Sequence, residues 1–406
     1  MSLDITLPIF SGSPIKLTSS ASEVVECINM PLSTNSRRLT AASGIPPSAR
    51  RGRWLSSPTE SLSTSWSSSC LEFFYTGSKL TLCVGQNTER KDKNNGGTPM
   101  LAIQTGSTAQ VASQDPTTWK TFDPQPGSDI LIFDQVSHLR HTQIFVRIVM
   151  IDWASNFEVD AIVLDEDAYI TSESFIRSGP VPRVLVIGDS ITAGLAVPVN
   201  EGGEPLPFGT LNTFPFAAER ILNENTTRTS IEMTMISYPG MCLVPPTKEE
   251  KEKGQRDGML EVFFWDSPWS HNGGDFPSLS PSAIIIELGT NDQFFNIPSE
   301  RFSKALVAFI KALREWTQDS IKHVWLIPPF PDTDTTNREL NNAMPQFIQT
   351  LEETYGEEIA FKICDLPEGL TANDTVDGVH PRLYVHEILG EKLAQFIETN
   401  LLSTLP

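Results

Sequence analysis

The spacing of hydrophobic positions changes partway along the chain. Up to about residue 170 they fall in short runs separated by polar, Gly-bearing or Pro-bearing breaks. Runs at 70–75 and 79–84 flank Thr76-Gly77-Ser78, which is a hairpin signal. In the second run Leu80, Leu82 and Val84 alternate with polar or small residues, so one face is expected to be buried. Further strands are expected over 100–104, 129–133, 142–151 and 159–164. The Ser/Thr-rich stretch 56–69 reads as loop, and 91–97 as a mobile tip. Many short strands without a convincing helix predict an all-β sandwich, jelly-roll-like, over residues 1–171.

Residues 172–182 carry Gly179, Pro180 and Pro182 and read as a linker. From Arg183 strands and helices alternate. The run 184–188 is apolar almost throughout, as in a parallel sheet buried on both faces. Runs at 233–237, 283–288, 324–327 and 359–364 resemble it. Between them Phe302, Leu306, Phe309, Leu313 and Trp316 recur at helical spacing. Leu340, Met344, Phe347, Leu351 and Tyr355 do the same, with Pro345 expected to kink their helix. A last helix is expected over 383–401. The expected fold class is α/β, a doubly wound α/β/α sandwich over 183–406 behind the all-β sandwich.

The length fits this division, since 406 residues exceed what one core usually holds. Charge is uneven: 14 basic against 18 acidic residues through residue 180, then 16 against 32. The net charge of -20 repels phosphate backbones, so neither nucleic acid nor an anionic membrane is an expected partner. No run of about 18 apolar residues predicts a membrane span. The first residues lack a basic stretch followed by a sustained apolar core, so a cytoplasmic location is expected, or secretion if a signal has been removed. Asn225 and Asn373 lie in glycosylation sequons that are idle without export. Cys27, Cys70, Cys83, Cys242 and Cys364 form no CxxC pair, and reduced, buried thiols are expected.

Candidate chemistry gathers at the strand ends. The first parallel strand runs into Gly188-Asp189-Ser190, which places a serine where open α/β sheets bind ligands. Alone, the triplet reads more readily as a helix cap in a tight turn. The next strands run into Tyr238-Pro239-Gly240 and Gly289-Thr290-Asn291-Asp292. The backbone N–H groups of Ser190 and Gly240 and the Asn291 amide are candidate donors for an oxyanion, which needs two or three. Singly, Gly240 reads as a turn and Asn291 as a loop cap. Before the last helix, Asp377-Gly378-Val379-His380 offers a base with a carboxylate three residues earlier. His386 lies inside the helix and reads as a packing or capping group.

Together these segments resemble the blocks of the SGNH (GDSL-like) hydrolase superfamily, in family order over roughly residues 183–402. The resemblance implies Ser190 as nucleophile, His380 as base, Asp377 as its orienting carboxylate, and an oxyanion hole of Ser190, Gly240 and Asn291. Tyr-Pro-Gly-Met at the second block lacks the extra glycines or asparagine often seen there. A β-sandwich before such a domain is similar to the layout of carbohydrate esterase family two.

Two further stretches bear on the substrate. An insertion follows Gly240, opening with a charge run over 248–257 that reads as a solvated helix or loop. It continues through Phe263, Phe264, Trp265 and Trp269, which read equally as packing or as a wall or sugar platform, so Trp265 and Trp269 are candidate substrate-binding residues. The loop 199–214 is a second candidate wall. Trp54, Trp66 and Trp119 read as core. The expected activity is hydrolysis of a small acyl ester, acetyl for preference, of a sugar or other small hydroxylated molecule, with no metal or cofactor. An acyltransferase on the same site and a silent binding module remain as alternatives.

Overall fold

The computed structural model describes residues 36–92, 98–106, 118–134, 143–172, 181–195, 206–224, 231–274, 276, 280–331 and 337–404. Cys27, His138, His141 and Asn225 lie outside the described residues, as do parts of the 91–97 tip, the 172–182 linker and the 199–214 loop.

The first unit comprises β1 (Ser36–Thr40), β2 (Arg50–Arg51), β3 (Leu55–Ser56), β4 (Leu62–Thr64), β5 (Cys70–Thr76), β6 (Lys79–Val84), β7 (Glu89–Arg90), β8 (Leu101–Gly106), β9 (Lys120–Phe122), β10 (Asp129–Asp134), β11 (Gln143–Met150), β12 (Ser155–Asp165) and β13 (Tyr169–Thr171), with a short α-helix, α1 (Ala41–Gly44), and a 3-10 turn at Pro47–Ala49. These strands form two antiparallel sheets. One runs β10-β6-β12-β4-β3, with β1 and β7 also on β12; the other runs β13-β5-β11-β8-β9, with β2 on β5. Their inner faces share a core that includes Phe73, Tyr75, Leu80, Leu82, Ile148 and Val159.

Two local expectations fail here. The strands flanking Thr76-Gly77-Ser78 are not a hairpin. β5 pairs with β11 and β13, whereas β6 pairs with β10 and β12, so the turn carries the chain between sheets. The Asp165 carboxylate of β12 holds it by accepting from Lys79 N–H at 3.0 Å and Ser78 Oγ at 2.9 Å. Turn chemistry in a sequence does not say which strand lies beside which. The 56–69 stretch is also not all loop. It contains β4, which pairs with β12. Ser63 and Thr64 hide that strand, since Leu62 is its one apolar residue in the core and a single apolar position sets no period.

The second unit has a five-stranded sheet of β14 (Arg183–Gly188), β15 (Glu232–Ser237), β16 (Ala283–Glu287), β17 (His323–Leu326) and β18 (Ala360–Ile363). All four pairings are parallel, in the order β15-β14-β16-β17-β18. Its helices are α2 (Ser190–Ala193), α3 (Phe214–Glu224), α4 (Lys248–Glu252), α5 (Met259–Val262), α6 (Thr290–Phe294), α7 (Ser299–Trp316), α8 (Glu339–Tyr355) and α9 (Leu383–Asn400). The near-continuous apolar strands follow from burial on both faces. Val184, Val186, Met233 and Met235 pack with α3 and α9 on one side. Leu185, Ile187, Ile284 and Ile286 pack with α7 and α8 on the other. Pro345 lies inside α8, which continues across it. The fold is a doubly wound α/β/α sandwich behind an all-β sandwich. Its strand order puts the switch point between β14 and β16, where the crevice of such sheets opens.

The two units share side chains. Cys70, Ala102 and Val149, on the outer face of the β5 sheet, join the cluster containing Phe214 and Phe216. Trp66 and Trp153 join the one containing Tyr238 and Met241. The first unit also covers the edge strand β15. Ser68 Oγ accepts from Met235 N–H at 3.0 Å and donates to Met235 O at 3.2 Å, and Arg51 donates to Met233 O at 2.8 Å. An edge strand left open would be a template for foreign pairing. Trp54, Trp66 and Trp119 are buried, which agrees with their reading as core. Cys70, Cys83, Cys242 and Cys364 are free and buried, and burial pushes the thiols of Cys70, Cys83 and Cys364 up to about 12. Among the described residues no helix is long and apolar enough to cross a membrane.

Candidate active site

Strand β14 ends in Gly188, and the chain turns sharply into the single turn of α2, with Ser190 as its first residue. Only glycine fits at 188. A Cβ there would stand 2.3 Å from Thr192 Oγ1 and 2.8 Å from Glu287 Oε2. Asp189 caps the turn, its carboxylate accepting from Ile191 N–H at 3.0 Å. Ser190 is 6% exposed. As the first residue of α2 its backbone N–H has no partner within the helix.

The loop before α9 brings His380 onto Ser190. Its Nε2 lies 2.8 Å from Ser190 Oγ, and its Nδ1 lies 2.6 Å from Asp377 Oδ2. The other Asp377 oxygen accepts from the backbone N–H groups of His380 at 2.8 Å and Val379 at 3.1 Å. One carboxylate therefore fixes both the imidazole and the backbone that carries it. Gly378 makes this tight turn possible at φ 97°, and Thr375 Oγ1 accepts from its N–H at 3.0 Å. A bridge between Thr375 and Pro381 closes the loop. Burial works against the Asp377 charge, but hydrogen bonding and the charge of His380 prevail and hold its carboxyl down at about 2.

The remaining candidates come from two neighbouring loops. Gly240, at φ 75°, lies in the turn after β15. Asn291, on α6, follows Gly289 at φ 121°. The Asn291 amide donates to Asp189 Oδ2 at 2.9 Å and to Met241 O at 3.1 Å. It therefore ties the Ser190 turn to the Gly240 loop, and both of its hydrogens are engaged in this state. Trp265 and Trp269 are half-buried. Trp269 donates through Nε1 to Tyr238 Oη at 3.0 Å, two residues before Gly240. Trp265 packs against His271 and on the core, and its carbonyl accepts from Arg53 at 3.5 Å. Phe263 is fully buried and stands against Phe309 and Trp316, so it is packing.

Four residues near the site had no expected part in it. Asp292 is buried, and its two oxygens accept from Leu243 and Val244 N–H at 2.8 and 3.0 Å, anchoring the Gly240 loop. Burial pushes its carboxyl up to about 7. Glu287 is buried beneath Gly188 and accepts from Thr192 Oγ1 at 2.8 Å. A carboxylate inside the apolar run of β16 was the available signal for it. Arg256 stacks on Tyr238 with Cζ 4.9 Å from the ring, and its Cδ is 3.6 Å from where a Gly240 Cβ would stand. The 248–257 charge run is thus solvated along α4, where no residue is buried, and at Arg256, which stays exposed while lying over Tyr238. His386 is buried inside α9; its Nδ1 accepts from Phe214 N–H at 3.3 Å and its ring stacks on Phe214. It caps α3, and burial first, then His380, lowers its imidazole to about 3.

A doubly wound sheet with a serine, an imidazole and a carboxylate in one hydrogen-bonded row at its strand ends defines a serine hydrolase of the carboxylesterase type. A sequence model of the GDSL-like lipase/acylhydrolase family matches residues 186–388, half of the chain, and the chain belongs to that family. No curated protein matches the chain. Among solved structures it is similar to a family two carbohydrate esterase from Cellvibrio japonicus, at 14% identity and TM-score 0.68 over 90% of this chain and 97% of that one. An acetyl xylan esterase from the rumen bacterium Butyrivibrio proteoclasticus matches at 15% identity and TM-score 0.64, over 92% and 100%. A salicylyl-acyltransferase from a tetracycline biosynthetic pathway matches at 12% identity and TM-score 0.59, over 92% and 99%. At these identities the likeness is one of fold, and it spans both units.

Proposed function

We propose that the chain hydrolyses a small acyl ester, acetyl for preference, on a hydroxyl of a sugar or similar small molecule, through Ser190, His380 and Asp377. The observation that carries this reading is the row Ser190 Oγ–His380 Nε2–Asp377, at 2.8 and 2.6 Å. A serine hydroxyl becomes a useful nucleophile when a base stands ready to take its proton. Asp377 stays ionised and holds the Nδ1–H tautomer, leaving Nε2 free to accept that proton. Attack on the ester carbonyl puts negative charge on its oxygen. The N–H groups of Ser190 and Gly240 receive it, and Asn291 joins by exchanging its bond to Met241 O for one to the oxyanion. The imidazolium then protonates the leaving alcohol, and water repeats the sequence on the acyl-enzyme.

The names of two fold relatives support a carbohydrate ester as substrate, one of them an acetyl xylan esterase. Trp265 and Trp269 supply partly exposed aromatic surface, Trp269 beside the Gly240 loop, suited to a sugar face or an acyl wall. The chain divides, on this reading, at 172–182 into a sandwich of residues 1–171 and a catalytic domain of 183–406. Transfer of the acyl group to a second alcohol is the second reading, favoured by the likeness to an acyltransferase over nearly the whole chain. Product analysis with an added acceptor alcohol separates the two. Ser190→Ala is expected to lower kcat on 4-nitrophenyl acetate by roughly 10⁴-fold or more. A purified variant that kept most of the activity would overturn the nucleophile assignment.

A further inference from the structure

Glu287 is a buried acid that the chemistry above does not use. It closes β16 and is 1% exposed. Its Oε2 accepts from Thr192 Oγ1 at 2.8 Å and from Asp189 N–H at 3.3 Å. Its carboxyl group lies against that of Asp189. Asp189 in turn accepts from Ile191 N–H and from the Asn291 amide. A row Glu287–Asp189–Asn291 thus runs beneath Ser190 and ends on a proposed oxyanion donor.

We propose that Glu287 is a positioning residue: as a hydrogen-bond donor to Asp189 it fixes the turn that carries Ser190 and, through Asp189, the amide of Asn291. Two carboxyl groups in contact in a buried site do not both ionise; one proton stays between them. Its place follows from the contacts. Oε2 of Glu287 already takes two donors, which leaves the proton to the Glu287 carboxyl's other oxygen. Asp189 takes the ionised part, because both of its oxygens accept N–H donors. Burial first, and the charge of Asp189 second, push the Glu287 carboxyl well above the ordinary range. Other ionisable groups that interact with the pair include His380, Asp292 and Cys242. A neutral Glu287 also keeps a second buried negative charge away from the oxyanion. When it ionises as pH rises, the hydrogen bond to Asp189 becomes a repulsion, and turnover falls.

This role rests on the reading of Ser190 as the nucleophile, so Ser190→Ala is assayed beside two variants at position 287. Glu287→Gln keeps the shape and an N–H donor; Glu287→Leu keeps the bulk and loses the donor. With 4-nitrophenyl acetate and background-corrected rates, Glu287→Leu is expected to lose about 10- to 100-fold in kcat with little change in KM, as for a misplaced catalytic group. Glu287→Gln is expected to restore most of kcat and to lack the unmodified enzyme's fall with rising pH. Equal kcat in the two variants, or the same fall with rising pH in Glu287→Gln, overturns the role. If Glu287→Leu does not fold, the rising-pH limb of Glu287→Gln decides alone. An inactive Ser190→Ala together with equal 287 variants removes only the positioning role, whereas an active Ser190→Ala removes both.

Discussion

At Asn291 two tasks meet in one amide. It joins Asp189 to Met241 O, and it is the side-chain donor proposed for the oxyanion. Its substitution therefore removes a donor and loosens the Gly240 loop together. Asn291→Ala is expected to lower kcat on 4-nitrophenyl acetate roughly 10²- to 10³-fold, the usual cost of one oxyanion donor. An unchanged rate would remove Asn291 from the reacting centre. Asp292, its neighbour, stands behind the loop and not in it, since both of its oxygens are taken by Leu243 and Val244 N–H. Adjacent residues of one motif thus do different work. The motif made Asn291 legible in the sequence; the work of Asp292 needed the partner loop, which lies about 50 residues away along the chain.

Among the elements, α3 depends on a cap that comes from α9. The Nδ1 of His386 accepts the first N–H of α3, and only the neutral ring can do so. Its folded-state value of about 3 lies below the ordinary 6.5. The unfolded chain therefore binds the extra proton first as pH falls. The stability that the neutral ring contributes is present above about pH 6.5 and is lost as pH falls through the window toward 3. Asp189, Glu287 and Asp292, whose carboxyls are raised, slope the opposite way, so the comparison is between variants and not of one absolute curve. His386→Gln keeps an acceptor and cannot take the proton. Its urea midpoint is expected to fall less than that of the unmodified protein between pH 7 and pH 5. Parallel falls would show that His386 does not carry the effect.

Across the whole molecule, a buried charge network ties the two units. Arg51 and Glu72 pair at 3.1 Å, Arg147 and Glu72 at 2.7 Å, and Arg51 and Glu219 at 3.1 Å. Three of these residues lie in the first unit; Glu219, on α3, is 1% exposed in its side chain and also accepts from Met233 N–H. Cutting such a network at one partner leaves a buried charge uncompensated. Glu219→Ala is expected to cost about 3–5 kcal/mol of unfolding free energy in urea titration. A loss below about 1 kcal/mol would mean that water or another group replaces the carboxylate. The sandwich thus covers the sheet edge and shares its core, rather than trailing from the catalytic unit on a tether.

The sequence by itself determined the alternation of elements and the parallel sheet, and it made Ser190, Gly240, Asn291, Asp377 and His380 legible as candidates. Those depend on local periodicity and on short motifs, which are properties of neighbouring residues. Tertiary structure alone decided the rest. It set which strands meet across Thr76-Gly77-Ser78, placed a strand in the Ser/Thr-rich 62–64 segment, and put Arg256 beside Gly240. It also brought Glu287 under Asp189 and His386 onto α3. Each of these is a contact between residues distant in sequence. A carboxylate or an imidazole has the same letter whether it faces water or a buried partner, and only burial and the partner decide what it does.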